Sequence, residues 1–183
     1  ENPSVFNINR IAPHAHFIPF ETERMAWDNN SKQSNYFKSL NGIWKFNIAS
    51  NPANRPVDFY KENYDVTAWA DIKVPANWER QGFDTAIYVN TTYPFWQIVG
   101  ENPNPPHIPN AYNQVGSYRS NFIIPEKWDG RRITIHFGAV KSAFYIWVNG
   151  EKVGYSEGSK TPAEFDLTQY INKGENTLAL EVY

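Results

Sequence analysis

The side chains able to do chemistry in this 183-residue chain are oxygen and nitrogen donors, because the chain contains no cysteine. That removes thiol nucleophiles, disulfide scaffolds and zinc sites built on thiolates. Glycoside hydrolysis needs two carboxylates facing each other across the scissile bond. The acidic candidates are Glu157, Glu164 and Asp166, which follow a hairpin, and Glu79 and Asp84, which flank a long loop. None is clearly paired with another, and each reads as a turn cap or a solvated loop charge. His14 and His16 have the i, i+2 spacing that places two metal ligands on one face of a strand, but no third ligand stands nearby in sequence. They read as surface histidines, as do His107 and His136. A Gly-x-Ser-x-Gly elbow and a Gly-rich phosphate loop are both absent.

A planar amide is a different kind of candidate. Asn90 lies among Tyr88, Tyr93, Phe95 and Trp96 and can both donate to and accept from a sugar hydroxyl. Asn90-Thr91-Thr92 also fits the N-glycosylation triplet, as does Asn29-Asn30-Ser31. Seventeen basic against nineteen acidic residues leave a net charge of −2 without a long basic run, so a nucleic-acid partner is not expected. No apolar run approaches bilayer length and mean hydropathy is −0.61, so no membrane partner is expected either.

The elements that must position these residues are strands. Aromatic residues make up 16% of the chain, a bias toward pleated, half-buried structure, with a carbohydrate-stacking surface as the other use of so many rings. Residues 1–42 show no sustained periodicity and are broken by Pro3, Pro13 and Pro19, so they read as an irregular arm packed over the domain through Ile8, Ile11, Phe17 and Phe20. Ile43 to Ile48 alternates as a strand with Trp44, Phe46 and Ile48 toward a core, and Asp71 to Val74 is extended. Between them, VDFYKENY has room for one or two helical turns. From Gly82 to Gly116 a Pro-rich, aromatic segment reads as an ordered functional loop.

The second half is more regular. Ser117 to Ile124 is a strand, and Arg131 to Phe137 places Ile133, Ile135 and Phe137 inward and Arg132, Thr134 and His136 outward. Two extended runs flanking Asn149-Gly150 form a hairpin with a type I′ turn. After a helical turn and a stop at Lys173-Gly174, a strand begins near Asn176 with Leu178, Leu180 and Val182 inward. Because the chain ends within this strand and its sole methionine is Met25, it reads as a piece of a larger protein. Strands at this spacing with almost no helix predict an all-β, antiparallel jelly-roll sandwich over 43–183, preceded by the arm over 1–42.

Four stretches carry a resemblance: ENPSVFNINR, SLNGIWKF, VPANWERQGFDTAIYVNTTYPF, and AVKSAFYIWVNGEKVGYSEGSKTPAEFDL followed by GENTLALEV. Together, in order and at compatible spacing, they resemble the N-terminal domain of the large bacterial β-galactosidases of glycoside hydrolase family 2. The resemblance implies a galactose-binding-like jelly roll at the start of a retaining β-galactosidase, with immunoglobulin-like and (β/α)₈ barrel domains downstream. The family's two catalytic glutamates lie in that barrel, so no catalytic residue is expected in this chain, nor turnover by it alone. Within Ile87-Tyr88-Val89-Asn90-Thr91-Thr92-Tyr93-Pro94 the family's asparagine contacts the galactosyl unit, which implies substrate roles for Asn90 and, adjacent to it, Thr91. The same segment favours the galactosidase branch over related β-glucuronidases.

A structural magnesium site of some relatives maps onto Asn2, the backbone of Val5 and Glu157, where the glutamate replaces a neutral amide. Further ligands are expected before Glu1 and beyond Tyr183. Magnesium and sodium are implied for the full-length enzyme, and none for this chain by itself. The implied partners are a β-galactoside substrate, the remaining domains of the polypeptide and further copies in a homo-oligomer. The loop GENPNPPHIPNAYNQVGSY is longer than in the best-known relatives and bears on the entrance to the site. The competing readings are a free-standing carbohydrate-binding module and a purely structural or oligomerisation domain.

Overall fold

The computed structural model describes residues 2–86, 107–110 and 113–183. Its strands, in chain order, are β1 (Asn7–Ile8), β2 (Gly42–Ala49), β3 (Ala70–Val74), β4 (Val115–Ile124), β5 (Thr134–Phe137), β6 (Ala143–Val148), β7 (Glu151–Glu157), β8 (Ala163–Asp166) and β9 (Gly174–Val182). One short helix, α1 (Glu23–Asp28), interrupts the arm. Among the described residues the strands form a seven-stranded sheet in the order β1-β7-β6-β9-β4-β2-β3 and a two-stranded sheet of β5 and β8. Every pairing is antiparallel. The all-β antiparallel sandwich expected from sequence is the observed architecture.

Alternation explains which side chains meet between the sheets. Trp44 and Phe46 from β2, Ile146 from β6, and Leu178 and Leu180 from β9 project to one side, where they meet Ile135 of β5 and Phe165 of β8 in the main core. The inward set expected for the last strand, Leu178, Leu180 and Val182, is buried as the pattern requires. Asn149 and Gly150 turn the β6–β7 hairpin with φ of 51° and 83°, the positive pair that a type I′ turn demands.

The opposite face of the large sheet is also covered. Phe59, only 1% exposed, packs with Trp147 and Ala179 in a second cluster, so β9 is buried on both sides. Residues 57–63 cover this face as successive turns rather than the expected helical turns. Asp58 adopts a left-handed φ of 63°, which interrupts right-handed helix, and the turns close through Lys61 N–H to Asp58 O and Tyr64 N–H to Lys61 O. Arg119, buried beneath this segment, donates to the carbonyls of Phe59 and Lys61.

The arm is held differently from its hydrophobic reading. Phe17 is 70% exposed and Ile8 40%, so neither serves as a deep anchor. Hydrogen bonds hold it instead: β1 pairs with β7, Asn9 Nδ2 donates to Val153 O, Arg10 reaches Ser156, and Ile11 N–H donates to Glu164 O. Farther along, the Ser34 hydroxyl donates to Pro19 O and Trp128 Nε1 to Asn35 O. Helix α1 is capped by Thr22, whose hydroxyl accepts from Met25 N–H, and ends at Asn29 in the left-handed region.

Candidate functional site

Asn90 and Thr91 lie outside the described residues. The residues just before them are described: Asp84, Thr85 and Ala86 line a broad groove together with Trp44, Trp78, Asn113, Gln114 and Tyr118. The rings are fixed by packing. Trp44 and Tyr118 meet edge to face with centroids 6.5 Å apart, and Phe46 lies 4.6 Å from Tyr118 and 6.0 Å from Trp78. Gly116 makes this packing possible, since a Cβ there would fall 2.4 Å from Trp78 Cζ3. Burial holds the Tyr118 phenol far above its usual pKa, with the charge of Glu79 adding to the shift, so it acts as a neutral hydroxyl. Trp78 Nε1 is buried without a hydrogen-bond partner among the described residues, a donor left for a group from elsewhere.

Of the residues mapped to a metal, Asn2 and Val5 precede β1 and Glu157 ends its neighbour β7. Asn2 and Val5 form a turn in which Val5 N–H donates to Asn2 O, while Asn2 Oδ1 accepts from Ser4 N–H. Glu157, the last residue of β7, donates its N–H to Phe6 O, and its carboxylate accepts from the Tyr155 hydroxyl. All three mapped residues offer oxygen donors, the kind that magnesium takes.

A second constellation emerges where sequence placed only surface histidines and a loop charge. Glu164 is not a loop residue: it stands on β8 directly opposite His136 of β5. Both point outward because Ile135 and Phe165, one position away, point into the core. His136 Nδ1 and Glu164 Oε1 are 2.7 Å apart. The arm crosses the free edge of β8 through the Arg10 to Phe165 bridge and the Ile11 to Glu164 backbone bond, which delivers His14 and His16 to the same spot. His14 Nε2 lies 2.8 Å from Glu164 Oε2, and the ring of His16 lies 4.5 Å from that of His136.

The electrostatics follow from these contacts. His14 donates from Nδ1 to Ala15 O and from Nε2 to the carboxylate, a pairing that needs both ring protons; the backbone bond first, and then Glu164, raise its pKa. Burial pushes the Glu164 carboxyl upward, but the bonds from His136 and His14 outweigh it and hold the group below its ordinary value. Asp166, two residues on, is engaged by Thr168 and by Arg132 at 2.7 Å, as a turn cap should be. Among these acids, Glu157, Glu164 and Asp166 all have partners on the protein's own side chains.

Comparison with known proteins adds the evolutionary setting. Residues 37–183 match the family described as glycosyl hydrolases family 2, sugar binding domain. The whole chain is 44% identical to a β-galactosidase of Priestia megaterium, of which it spans 17%. Over 98% of its length it is 45% identical to a β-galactosidase of Halalkalibacterium halodurans, again spanning 17% of that protein. Among solved structures, the β-glucuronidase of Bifidobacterium dentium complexed with coumarin-3-O-glucuronide matches with a TM-score of 0.57 at 23% identity, covering 78% of this chain and 19% of that one. That structural likeness speaks for the fold, while the identities to the β-galactosidases run through the entire sequence.

Proposed function

The chain belongs to glycosyl hydrolase family 2, and from that premise we propose that it is the sugar-binding domain of a retaining enzyme that removes terminal β-D-galactosyl residues. The observation that carries this reading is identity of 44% to a β-galactosidase over the full length of the chain. The domain buttresses a catalytic barrel elsewhere in the polypeptide and presents Asn90 to the galactosyl unit, with Thr91 shaping the pocket. The chain alone hydrolyses nothing in this reading, which is supported by Glu157, Glu164 and Asp166 engaging tyrosine, histidine, threonine and arginine partners rather than each other.

The groove between the strands flanking Asn90 supplies a rigid frame for this role. Trp78 and Tyr118 offer a buried N–H donor and a neutral phenol in the groove that Ala86, the last described residue before the Asn90 segment, also lines. Asn2, the Val5 carbonyl and Glu157 would hold one side of a magnesium ion, which would pin the N-terminal turn to the end of β7; sodium belongs to the barrel. Assembly into a homo-oligomer and contacts with the remaining domains complete the proposal.

The test compares turnover of chromogenic β-galactosides and β-glucuronides by the complete protein, with the 183-residue chain as control. Galactoside hydrolysis by the complete protein and none by the chain supports the reading. Preference for the glucuronide overturns the galactosyl assignment, and turnover by the chain alone overturns the division of labour.

A further inference from the structure

Three segments far apart in sequence converge on one point of the β5–β8 face. A ring nitrogen of His16, a ring nitrogen of His136 and a carboxylate oxygen of Glu164 all lie within 4.8 Å of one another. We propose that His16, His136 and Glu164 form a binding site for a divalent transition-metal ion of the zinc type, which staples the N-terminal arm to the β5–β8 sheet. This goes beyond the carbohydrate reading and does not rest on it.

The donor set selects the ion. Two imidazoles and one carboxylate suit zinc, cobalt, nickel or copper, whereas magnesium and calcium favour oxygen throughout. Tetrahedral bonds of about 2.0–2.1 Å put neighbouring ligand atoms roughly 3.3 Å apart. His136 Nδ1 and Glu164 Oε1, at 2.7 Å, are already close to that separation, with a proton between them that the metal would replace. The ring proton moves to the other nitrogen of His136 or to water, so the imidazole binds in its neutral form.

The third ligand comes from the arm. His16 is exposed, its ring is 4.5 Å from that of His136, and its donor nitrogen lies within 4.8 Å of the other two ligand atoms. His14 acts from the outside as a positioning residue, holding Glu164 Oε2 at 2.8 Å and leaving Oε1 to the ion. Glu164 is fixed by its cross-strand register with His136, and its backbone carbonyl accepts from Ile11 N–H of the arm. Ligand geometry and arm docking are therefore coupled. A fourth position, open to solvent, is left for water, since His14 and His136 keep 39% and 30% of their side-chain surface exposed.

Titrating zinc chloride and cobalt chloride into the complete protein, purified without a histidine tag and stripped of metal, tests the site against His16→Ala, His136→Ala and His14→Ala. The wild type should bind one more zinc equivalent than His16→Ala, and its cobalt difference spectrum should show the intense visible bands of a four-coordinate N,O site. His14→Ala should weaken zinc by about 10-fold, as loss of an outer-shell partner does. Excess magnesium should not displace the ion. Equal zinc stoichiometry and affinity in wild type and His16→Ala, no four-coordinate cobalt difference spectrum, or displacement by magnesium would each overturn the proposal. Because His16 is an exposed arm residue, its loss does not threaten the core, and the wild-type cobalt spectrum reads the site without any substitution.

Discussion

Asn176 uses its full hydrogen-bonding capacity inside the protein. Its Nδ2 donates to the carbonyls of Asn172 and Gly174, and its Oδ1 accepts from Asn172 N–H and Asn149 Nδ2, in a position only 1% exposed. Asn176→Ala should therefore remove four hydrogen bonds at the junction of the hairpin turn and β9 and cost about 1–3 kcal/mol, read as a lower urea midpoint with an unchanged slope. The surface carboxylates predict the acid limb. Bonds from Lys61 and then Tyr60 hold Asp58 below its ordinary value of 3.8, and Lys173 does the same for Asp129. Each folded-state pKa is depressed, so the stability it contributes is complete above the unfolded value and lost as pH falls through the folded one. Melting temperature should drop below about pH 4, while His14, whose pKa is raised, adds stability as pH falls through neutral; a drop that begins near pH 6 would point to other groups. At this same scale the sequence was only partly legible: Asp166 was readable as a cap, but Glu164 was not readable as the partner of two histidines. Those contacts span 28 and 150 residues and exist only once the β5–β8 register and the path of the arm are known.

At the scale of elements, the point where β1 crosses β7 is set by the absence of a side chain. A Cβ on Gly154 would lie 2.4 Å from Ile8 O and 2.7 Å from a ring carbon of Phe165. The first contact is with backbone, which cannot rotate away, and the second with a fully buried ring. Gly154→Ala should loosen β1 and cost about 1–3 kcal/mol, as overpacking does, with amide exchange accelerating first at Ile8; unchanged protection there would contradict this account. The strands themselves were legible where burial on one face imposes a period of two, seen at Ile133 and Ile135 between the exposed Arg132, Thr134 and His136. The arm was legible as irregular but not in its anchors, since Asn9, Arg10 and Ile11 bind through hydrogen bonds that no hydrophobic pattern reports. Coverage of the second sheet face by Phe59 was hidden for a related reason. Tandem turns around a left-handed Asp58 have no periodicity to read.

For the whole molecule, the division of labour within a larger enzyme is the central claim. The sandwich provides a stiff scaffold, its groove carries fixed aromatic rings, and the segment bearing Asn90 departs from the rim of that groove at Ala86. Family membership was legible from motifs spread along the entire chain, which spans 17% of the Priestia megaterium β-galactosidase that it matches. The most direct test is the steady-state kinetics of Asn90→Ala in the complete protein on a β-galactoside. Loss of one buried hydrogen bond to substrate of about 1–3 kcal/mol corresponds to a fall in kcat/KM of roughly 5- to 150-fold, with the fold retained by near-UV circular dichroism. Kinetics indistinguishable from wild type would contradict the claim that this domain reaches into the galactosyl site.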